Sequence, residues 1–333
     1  MRIGLAVPQY GFSLPSGEIR ATDAIAWAQR AEALGFASVW LSDHFFYSFA
    51  RYGAGDEPIS ALEPETTLAA IAATTTRVRL GILVECATFR HPALVAKAAA
   101  TTDQLSGGRV DVGLGAGWLE QEFDAFGYRF GTVGERFDAL EDALAITSGL
   151  FGGVDPLTHE GRVWSLHGGR LTPPPVQQPI PIWAGGKGGP RLLAAAVRWA
   201  SGWNTVWRMA PEAYAAAVAA VRDACGQAGR DVATFGLSLG LYGTIGGTEA
   251  EAEAAFERAR AAFPGDAMRD ETWASWRADT LSGSLEQVRD RAGVFAELGV
   301  TDLIVSPWAL PFAVAEPEQV DLFADALPGD DSF

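Results

Sequence analysis

Cysteine, lysine and histidine are scarce in this chain. Its 333 residues include two cysteines and four histidines, and only two of its 25 basic residues are lysines. Two cysteines are too few for a disulfide framework in a chain of this length, so Cys86 and Cys225 are predicted to be free thiols in a reducing compartment. No spacing of Cys and His typical of a metal site occurs, and we predict no metal.

Positive charge and long apolar runs are also in short supply. The 41 acidic residues outnumber the basic ones and give a net charge of −16, which repels nucleic acid and anionic lipid. No apolar run reaches the roughly 20 residues that span a bilayer. The opening stretch MRIGLAVPQYG is typical of a first strand rather than a signal peptide. These features predict a cytoplasmic protein that binds neither nucleic acid nor membrane.

Short apolar runs alternate with helical patterns along the chain. The predicted strands are RIGLAV, ASVWL, VRLGILV, RVDVGLG, PIWAG, GWNTVW, FGLSLGLYGTI and TDLIVSPW. Strands that alternate with helices indicate parallel βαβ units. The fold class is therefore α/β, and the chain length suits an eight-stranded parallel (β/α)8 TIM barrel, with an open doubly wound sheet as the alternative.

Two stretches depart from this alternation. After the fourth strand come a predicted hairpin around HEGRVWSLH and the loop TPPPVQQPIP, and after the seventh strand comes the short helical stretch DETWASWRADT. We interpret both as insertions into the barrel. No internal repeat or low-complexity segment divides the chain, so residues 1–333 are predicted to form a single domain.

The stretch SDHFFYS places an acid and a histidine at the end of the second predicted strand. Active sites of barrels lie at the carboxyl ends of the strands. An imidazole titrates near neutral pH, and a neighbouring carboxylate favours its charged form. Asp43 and His44 are therefore candidates for proton transfer. The alternative is that Asp43 caps a turn and His44 makes a structural hydrogen bond.

Two glycine-rich stretches follow the fourth and fifth strands. In GLGAGW, alternating glycines would let the backbone approach a flat ring or a phosphate, and Trp118 would either stack on a planar ligand or plug the barrel mouth. The spacing differs from the dinucleotide fingerprint. In AGGKGGP, glycines precede a helix and surround Lys187, which suits an anion. The alternative there is a flexible turn.

Glu85 lies within or just beyond the third predicted strand, which is otherwise apolar. A carboxylate there needs a partner, or its pKa rises. It either faces the pocket or pairs with Arg90 or another arginine. We assign no chemistry to the remaining histidines, His91, His159 and His167.

Several stretches together resemble the bacterial luciferase-like oxidoreductases. They are LGFASVWLSDHF, the long block from RLGILV through TFRHPALVAKAAATTDQLSGGRVDVGLGAGWLEQEFDAFG, GERFDALEDAL, PIWAGGKG and LGVTDLIVSPW. The resemblance extends over nearly the whole chain and favours the barrel over the open sheet. SDHF, TFRHPA and the GAGW motif are more similar to the branch that uses the deazaflavin coenzyme F420 than to members that use FMN.

This resemblance implies roles for particular residues. His44 would donate or accept a proton beside the reacting carbon of the deazaflavin, and Asp43 would orient it. A bulge with a non-proline cis peptide at Leu83-Val84 would support one face of the ring. The ring and ribityl chain of the cofactor would also be bound by Gly115, Ala116 and Gly117. Its phosphate would be bound by Gly185, Gly186 and Lys187.

The resemblance also bears on the substrate. Phe46, Tyr47 and Trp118 would form the substrate side of the site. The best-known sugar-phosphate dehydrogenase of this branch has a glutamate where Trp118 stands and a tryptophan near Ser48. These departures argue against a sugar phosphate and favour a flatter or more apolar small molecule. Glu122 belongs to a family pattern and is interpreted as a structural contact within a helix.

The sequence thus predicts an F420-dependent oxidoreductase that transfers a hydride to or from a small organic substrate. The nearest alternative is a flavin monooxygenase that uses reduced FMN and oxygen. An alternative from another class is a barrel that binds flavin without catalysis. A homodimer is expected because it is usual among these relatives. Substrate identity and the direction of hydride transfer stay open.

Overall fold

A computed structural model describes residues 1–327 of the chain. The strands are, in chain order, β1 (Arg2–Ala6), β2 (Ser38–Leu41), β3 (Phe46–Tyr47), β4 (Ile59–Ser60), β5 (Arg79–Cys86), β6 (Val110–Gly115), β7 (Leu157–Glu160), β8 (Ser165–Gly169), β9 (Ile182–Gly185), β10 (Gly202–Trp207), β11 (Gly236–Tyr242), β12 (Ile245–Gly246), β13 (Gly283–Ser284) and β14 (Asp302–Ser306).

The α-helices are α1 (Ala21–Ala33), α2 (Pro64–Thr74), α3 (Pro92–Ser106), α4 (Glu120–Ala125), α5 (Val133–Phe151), α6 (Pro190–Trp199), α7 (Pro211–Ala228), α8 (Glu249–Ala262), α9 (Trp273–Asp279), α10 (Leu285–Glu297) and α11 (Pro317–Ala326). Short 3-10 helices occur at Ala50–Tyr52 and Val232–Thr234.

Eight strands form a closed parallel barrel in the order β1, β14, β11, β10, β9, β6, β5 and β2. The predicted (β/α)8 barrel is confirmed, and each predicted apolar run overlaps one barrel strand. Strands of a parallel barrel are covered on both faces, which is why they appear as apolar runs without alternation. Every residue of β2, β6 and β14 is buried.

The helix ends follow from local sequence. Gly107 has a φ of 72° and ends α3, where a residue with a Cβ atom would be strained. Ser284 and Gln287 form a capping box at the start of α10, in which each side chain accepts a hydrogen bond from the other residue's backbone N–H. Local residues therefore set where α3 ends and where α10 begins.

Two compact units are formed by separate stretches of the chain. The first contains Met1–Glu63, Val206–Val218 and the chain from Leu237 onward, and the second contains Pro64–Thr205 and Ala219–Gly236. Large buried side chains occur in each: Trp40, Phe256 and Phe295 in the first, and Phe123, Phe151 and Trp203 in the second. A single domain over residues 1–333 stays a prediction, and residues 328–333 lie outside the described part.

Excursions interrupt the barrel at three places. The hairpin β7–β8 lies between β6 and β9, and α9 lies between β11 and β14, at the two stretches interpreted from the sequence as insertions. The short strands β12 and β13 beside α9 were not predicted. An antiparallel pair, β3 with β4, follows β2 and was not predicted. Strands of two residues are too short to show the alternation by which a strand is recognised.

Candidate active site

Asp43 and His44 directly follow the buried strand β2, at its carboxyl end. Asp43 is buried and His44 is half-buried. The imidazole of His44 lies edge-on to the ring of Tyr47, with ring centroids 5.7 Å apart, and 6.1 Å from the ring of Tyr10. A titratable ring at the end of a barrel strand is thus held between two tyrosines.

His44 borders a cluster of aromatic side chains in the first unit. We call Tyr10, Phe12, Tyr47, Phe49 and Phe312 the aromatic cluster; its neighbouring rings lie 4.9 to 6.2 Å apart. Burial raises the pKa of the Tyr47 hydroxyl far above its ordinary value of 10.0, so this hydroxyl stays protonated. The surroundings of His44 are therefore apolar but carry neutral hydroxyl groups.

A second aromatic group follows the barrel strands β10 and β11. Trp207 stacks on Tyr242 at 5.3 Å, and Tyr242 stacks on Trp276 at 6.0 Å; we call these three residues the aromatic stack. Trp207 also meets Phe312 of the aromatic cluster edge-on at 5.3 Å. The two groups are therefore continuous within the first unit.

The sequence analysis missed both Tyr10 and Trp207. Each lies at or just beyond the carboxyl end of a barrel strand, β1 for Tyr10 and β10 for Trp207. His44 was selected because active-site residues of barrels lie at the carboxyl ends of the strands, and the same rule would have selected Tyr10 and Trp207.

Arg208 follows Trp207 and lies between two carboxylates. Its guanidinium donates to Glu271 at 2.7 and 3.1 Å and to Asp279 at 2.8 and 3.0 Å. The hydrogen bond from Arg208 lowers the pKa of Glu271, whereas burial raises the pKa of Asp279 despite its bond to the same arginine. Arg208 thus fastens the segment around α9 to the end of β10.

Strand β5 carries the predicted irregularity. The Leu83-Val84 peptide bond is cis, and the pairing of β5 with β6 shifts register between Ile82 and Glu85. Both the bulge and the cis bond are therefore confirmed. A second non-proline cis bond, Val206-Trp207, was not predicted.

The glycines of β6 and β9 surround the side chain of Val84. A Cβ atom added to Gly113 would meet Val84 at 2.8 Å, one added to Gly185 would meet it at 2.6 Å, and one added to Gly115 would come closer still. Such distances are not tolerated between carbon atoms, so these positions require glycine whatever they bind. The sequence analysis explained them by a ligand alone and did not anticipate this packing.

Gly117 is constrained differently. Its φ of 75° favours glycine, and a Cβ atom would collide with Phe123 at 3.0 Å and still more closely with Cys86. The neighbouring Ala116 is half-buried, and Trp118 is 41% exposed at the start of the segment leading to α4. The alternative in which Trp118 is a buried plug is not favoured by that exposure.

The loop between β9 and α6 is held by hydrogen bonds to β10. The Gly186 N–H donates to Asn204 at 3.0 Å, and the indole N–H of Trp203 donates to the Gly186 carbonyl at 2.9 Å. Lys187 is exposed, and α6 begins without a side-chain cap. The loop thus presents a cation and the first amides of a helix to solvent.

The other polar candidates are two glutamates and three histidines. Glu85 and Glu122 are both buried. His91 caps α3, because its Nδ1 accepts a hydrogen bond from Ala93 N–H at 3.1 Å. His159 lies 3.1 Å from Asp142, and the exposed His167 lies 3.1 Å from Glu160. The three histidines to which we assigned no chemistry therefore have structural partners.

Two features are absent from the described part of the chain: a cluster of metal ligands and a membrane-spanning helix. Among residues 1–327, no group of three or more His, Cys, Asp and Glu side chains is arranged to hold a metal ion. No helix in the same part of the chain has both the length and the apolar character needed to cross a membrane.

Comparison with known families identifies the chain. A family model described as luciferase-like monooxygenase matches residues 1–320. The chain belongs to the luciferase-like monooxygenase family. Among curated proteins, this luciferase-like chain is 33% identical to an F420-dependent hydroxymycolic acid dehydrogenase of Mycobacterium tuberculosis. That match covers 74% of this chain and 65% of the mycobacterial enzyme, slightly less than two thirds of the relative's length.

Solved structures share the fold over almost the whole luciferase-like chain. An F420-dependent secondary alcohol dehydrogenase, in complex with an F420-acetone adduct, superposes with a TM-score of 0.79 at 21% identity and 98% coverage of both chains. A monooxygenase from Streptomyces bottropensis superposes with a TM-score of 0.74 at 25% identity, again with 98% coverage of both chains.

Proposed function

We propose that this protein is an oxidoreductase that uses coenzyme F420 to transfer a hydride to or from a small organic substrate. The observation that carries the proposal is His44, which lies at the end of a barrel strand against Tyr10 and Tyr47 in a chain of the luciferase-like family. The F420-dependent relatives support the cofactor, and the alcohol and hydroxy-acid chemistry in their names supports a carbonyl or secondary alcohol as the reacting group.

The residues proposed to hold the cofactor fit a flat molecule with an anionic tail. Leu83 and Val84 lie in the bulge of β5, where glycines pack so closely against Val84 that the surface carries little side chain. Gly115, Ala116 and Gly117 continue that surface. The exposed Lys187, with Gly185 and Gly186 before it, supplies the positive charge that a phosphate needs in a protein of net charge −16. When bound, F420 supplies or accepts the hydride.

His44 is proposed to hold or release the proton that accompanies the hydride. Its Nε2 or Nδ1 would donate to a developing alkoxide in the reducing direction, or accept from an alcohol hydroxyl in the oxidising direction. Asp43, next to it and buried, is proposed to orient the ring. The apolar neighbours exclude water, which strengthens the bond between the imidazole and the substrate oxygen.

The substrate is proposed to be fairly apolar or planar. Phe46, Tyr47 and Trp118 are the residues proposed to contact it. Phe46 is half-buried in β3, Trp118 is exposed, and Tyr47 belongs to the aromatic cluster. We also propose a cytoplasmic location and a homodimer, as the resemblance implies.

A titration of the purified protein with F420 and, separately, FMN tests the cofactor. Binding is followed by the quenching of cofactor fluorescence. The proposal expects tighter binding of F420 and a change in its absorbance when secondary alcohols are added to the oxidised form, or ketones to the reduced form. The second candidate is a monooxygenase that uses reduced FMN, and the fold shared with the monooxygenase of Streptomyces bottropensis supports that reaction class. Oxygen consumption with reduced FMN would favour that candidate, and tight binding without turnover of any substrate would favour a non-catalytic barrel.

Replacement of His44 tests the proton-transfer role. We expect His44→Ala to lower kcat by about 10²- to 10⁴-fold, the usual contribution of a positioned acid or base, while the Kd for F420 stays within about twofold. Steady-state kinetics and the fluorescence titration measure both quantities. His167→Ala is the matched control, because His167 is exposed on β8, and it should leave kcat unchanged. Equal kcat values for His44→Ala and the unaltered protein would remove His44 from the mechanism.

A further inference from the structure

Gln9 makes a two-point hydrogen bond to the residue that precedes the Asp43-His44 pair. Its side chain is 0% exposed. The amide Nε2 donates to the carbonyl of Ser42 at 2.7 Å, and Oε1 accepts from the N–H of the same residue. The side chain therefore binds Ser42 as a neighbouring strand would.

This contact extends the pairing between β1 and β2. Their backbone ladder reaches Ala6 and Trp40, and Val7 N–H donates to the Trp40 carbonyl at 3.0 Å. β1 ends at Ala6, and beyond it the side-chain amide of Gln9 takes the place of a backbone partner for Ser42. Gln9 thus holds the chain directly after β2, two residues before the histidine.

The hydroxyl of Ser42 is held from the same side. It forms a hydrogen bond with the hydroxyl of Tyr10. The backbone N–H, the backbone carbonyl and the side chain of Ser42 are therefore all bound by two consecutive residues. Tyr10 also contacts the His44 ring, so one short segment holds both Ser42, two residues before His44, and the imidazole.

Gln9 itself is fixed by three neighbouring segments. Its N–H donates to Ser13 Oγ at 3.3 Å, and its carbonyl accepts from Leu62 N–H at 3.0 Å. Ser13 in turn accepts a bond from Val314 N–H at 2.8 Å on its carbonyl. We call the pair of hydrogen bonds from the Gln9 side chain to Ser42 the clamp. Because the backbone of Gln9 is held by these bonds, the clamp keeps Ser42 in a fixed position.

We propose that Gln9 is a positioning residue for His44, acting through Ser42. The proposal rests on the role of His44 in the proposed function and deepens it. An imidazole that exchanges a proton must be held within a fraction of an ångström of its partner, and a misplacement of about 1 Å lowers rates about 100-fold. Gln9 supplies that restraint through Ser42 and is not among the residues proposed to contact the substrate or the cofactor.

The chain contains a matched control for this clamp. Gln319 on α11 makes the same pair of bonds to one residue: Oε1 accepts from Ile245 N–H at 2.8 Å, and Nε2 donates to the Ile245 carbonyl at 2.8 Å. Gln319 is also buried, and neither residue belongs to the proposed site. Gln9→Met and Gln319→Met therefore lose the same two bonds, and we expect similar losses of denaturant stability.

The first experiment follows the histidine rings themselves. Only four histidines occur, so their Cε1–H signals can be resolved by NMR and assigned with His44→Gln and the corresponding variants of the other three. We expect Gln9→Met to broaden the His44 signal or shift it toward that of an unfolded chain while the other three stay in place. Gln319→Met should leave all four unchanged. An unaltered His44 signal in Gln9→Met overturns the proposal.

The second experiment measures turnover with F420 and the most rapidly converted alcohol or ketone of the substrate panel. We expect Gln9→Met to lower kcat tenfold or more with the Kd for F420 within twofold, and Gln319→Met to change neither. A loss of kcat in His44→Ala without one in Gln9→Met overturns the positioning role alone. Unchanged kcat in His44→Ala overturns the proposed function and the positioning role together.

Gln9→Glu serves if the methionine variant does not fold. A protonated carboxyl group can donate to the Ser42 carbonyl and accept from its N–H, whereas a carboxylate can only accept. The titratable groups beside the clamp are Tyr10, Asp43 and His44. At each pH, the kcat of Gln9→Glu is divided by the kcat of the unaltered protein. The titration of these three groups, which both proteins share, then cancels. We expect this ratio to rise as the pH is lowered, and a ratio that is independent of pH and near one overturns the proposal.

Discussion

Val84 shows how a single side chain dictates its neighbours. Its methyl groups fill the space that Gly113, Gly115 and Gly185 leave open on β6 and β9. The glycines of the two strands are therefore a consequence of the bulge on β5. The surface proposed to hold the cofactor is therefore formed mainly by backbone, and its shape depends on one valine.

Gly185→Ala is expected to destabilise the protein by about 1 to 3 kcal/mol, because the new methyl group overlaps the side chain of Val84. Val84→Ala should relieve that overlap, so the double variant should be more stable than the sum of the two single effects predicts, by about 1 kcal/mol. Guanidinium unfolding of the four proteins measures this coupling.

Gly293→Ala is the control for that series. Gly293 lies within α10 with nothing within 4 Å of an added Cβ atom. The substitution should stabilise the protein by about 0.5 to 1 kcal/mol, because alanine loses less chain entropy in a helix. Additive effects of Gly185→Ala and Val84→Ala would contradict the packing described for Val84.

At the scale of residues, sequence reasoning identified positions better than contacts. His44 was selected because of its place at a strand end, and the Leu83-Val84 pair because of the resemblance to a family. The partners of His44 were not predicted, since Tyr10 follows a different strand and only the closed barrel brings β1 beside β2. Gln9 was missed for the same reason, as its hydrogen bonds connect positions 33 residues apart.

At the scale of elements, the 263–280 segment depends on Arg208. The guanidinium binds Glu271 and Asp279, and Met209 N–H donates to the Asp279 carbonyl at 2.7 Å. Phe263 at the start of the segment meets Phe49 and Tyr52 at 6.2 and 5.6 Å. The segment is thus attached at both ends to residues that follow β2 and β10.

Glu271→Gln is expected to lower the free energy of unfolding by about 1 to 2 kcal/mol at pH 7, because it removes a half-buried charged partner of Arg208. The folded pKa of Glu271 lies below its ordinary value of 4.5, so its contribution is complete above that pH and is lost as the pH falls through the folded pKa. The deficit of the variant should therefore shrink below about pH 4.5.

Urea unfolding of the variant and of the unaltered protein at several pH values tests this. Asp266→Asn is the control, since Asp266 pairs with Arg269 at a site where both side chains are more than 60% exposed. An exposed pair contributes little, and that variant should differ by less than about 0.5 kcal/mol. A deficit of Glu271→Gln that grows toward low pH would contradict the assigned pKa direction.

The elements that could be predicted are those with enough residues to show a pattern. The barrel strands and long helices were recognised because apolar runs and helical spacing persist over several residues. The pair β3–β4 and the aromatic stack were not, because two-residue strands show no period and the stack joins positions 207, 242 and 276. Contacts between distant segments depend on the closed sheet.

At the scale of the whole molecule, both thiols are shielded in the folded state. Cys86 is 6% exposed and Cys225 is 1% exposed, and no disulfide joins them. Burial also raises the pKa of the Cys225 thiol, which lowers its thiolate fraction and hence its reactivity. Two free but buried thiols agree with the expectation from cysteine count.

We expect a thiol reagent to modify the native protein slowly and to modify two cysteines per chain after unfolding. Both cysteines belong to the same compact unit, so they should become reactive at the same denaturant concentration if that unit unfolds cooperatively. Pulse labelling followed by peptide mass spectrometry locates each modification. Separate midpoints for Cys86 and Cys225 would contradict cooperative unfolding of the unit.

The scarcity of lysine makes Lys187 a convenient point of attachment for a dye. Lys97 donates to the backbone oxygen of Thr172, whereas Lys187 is exposed before α6. With Lys97→Arg, Lys187 becomes the one lysine that an amine-reactive fluorophore can modify. At alkaline pH, some reagents prefer an ε-amino group over the α-amino terminus. Such a reagent would place a fluorophore on the loop between β9 and α6, and no engineered cysteine would be needed.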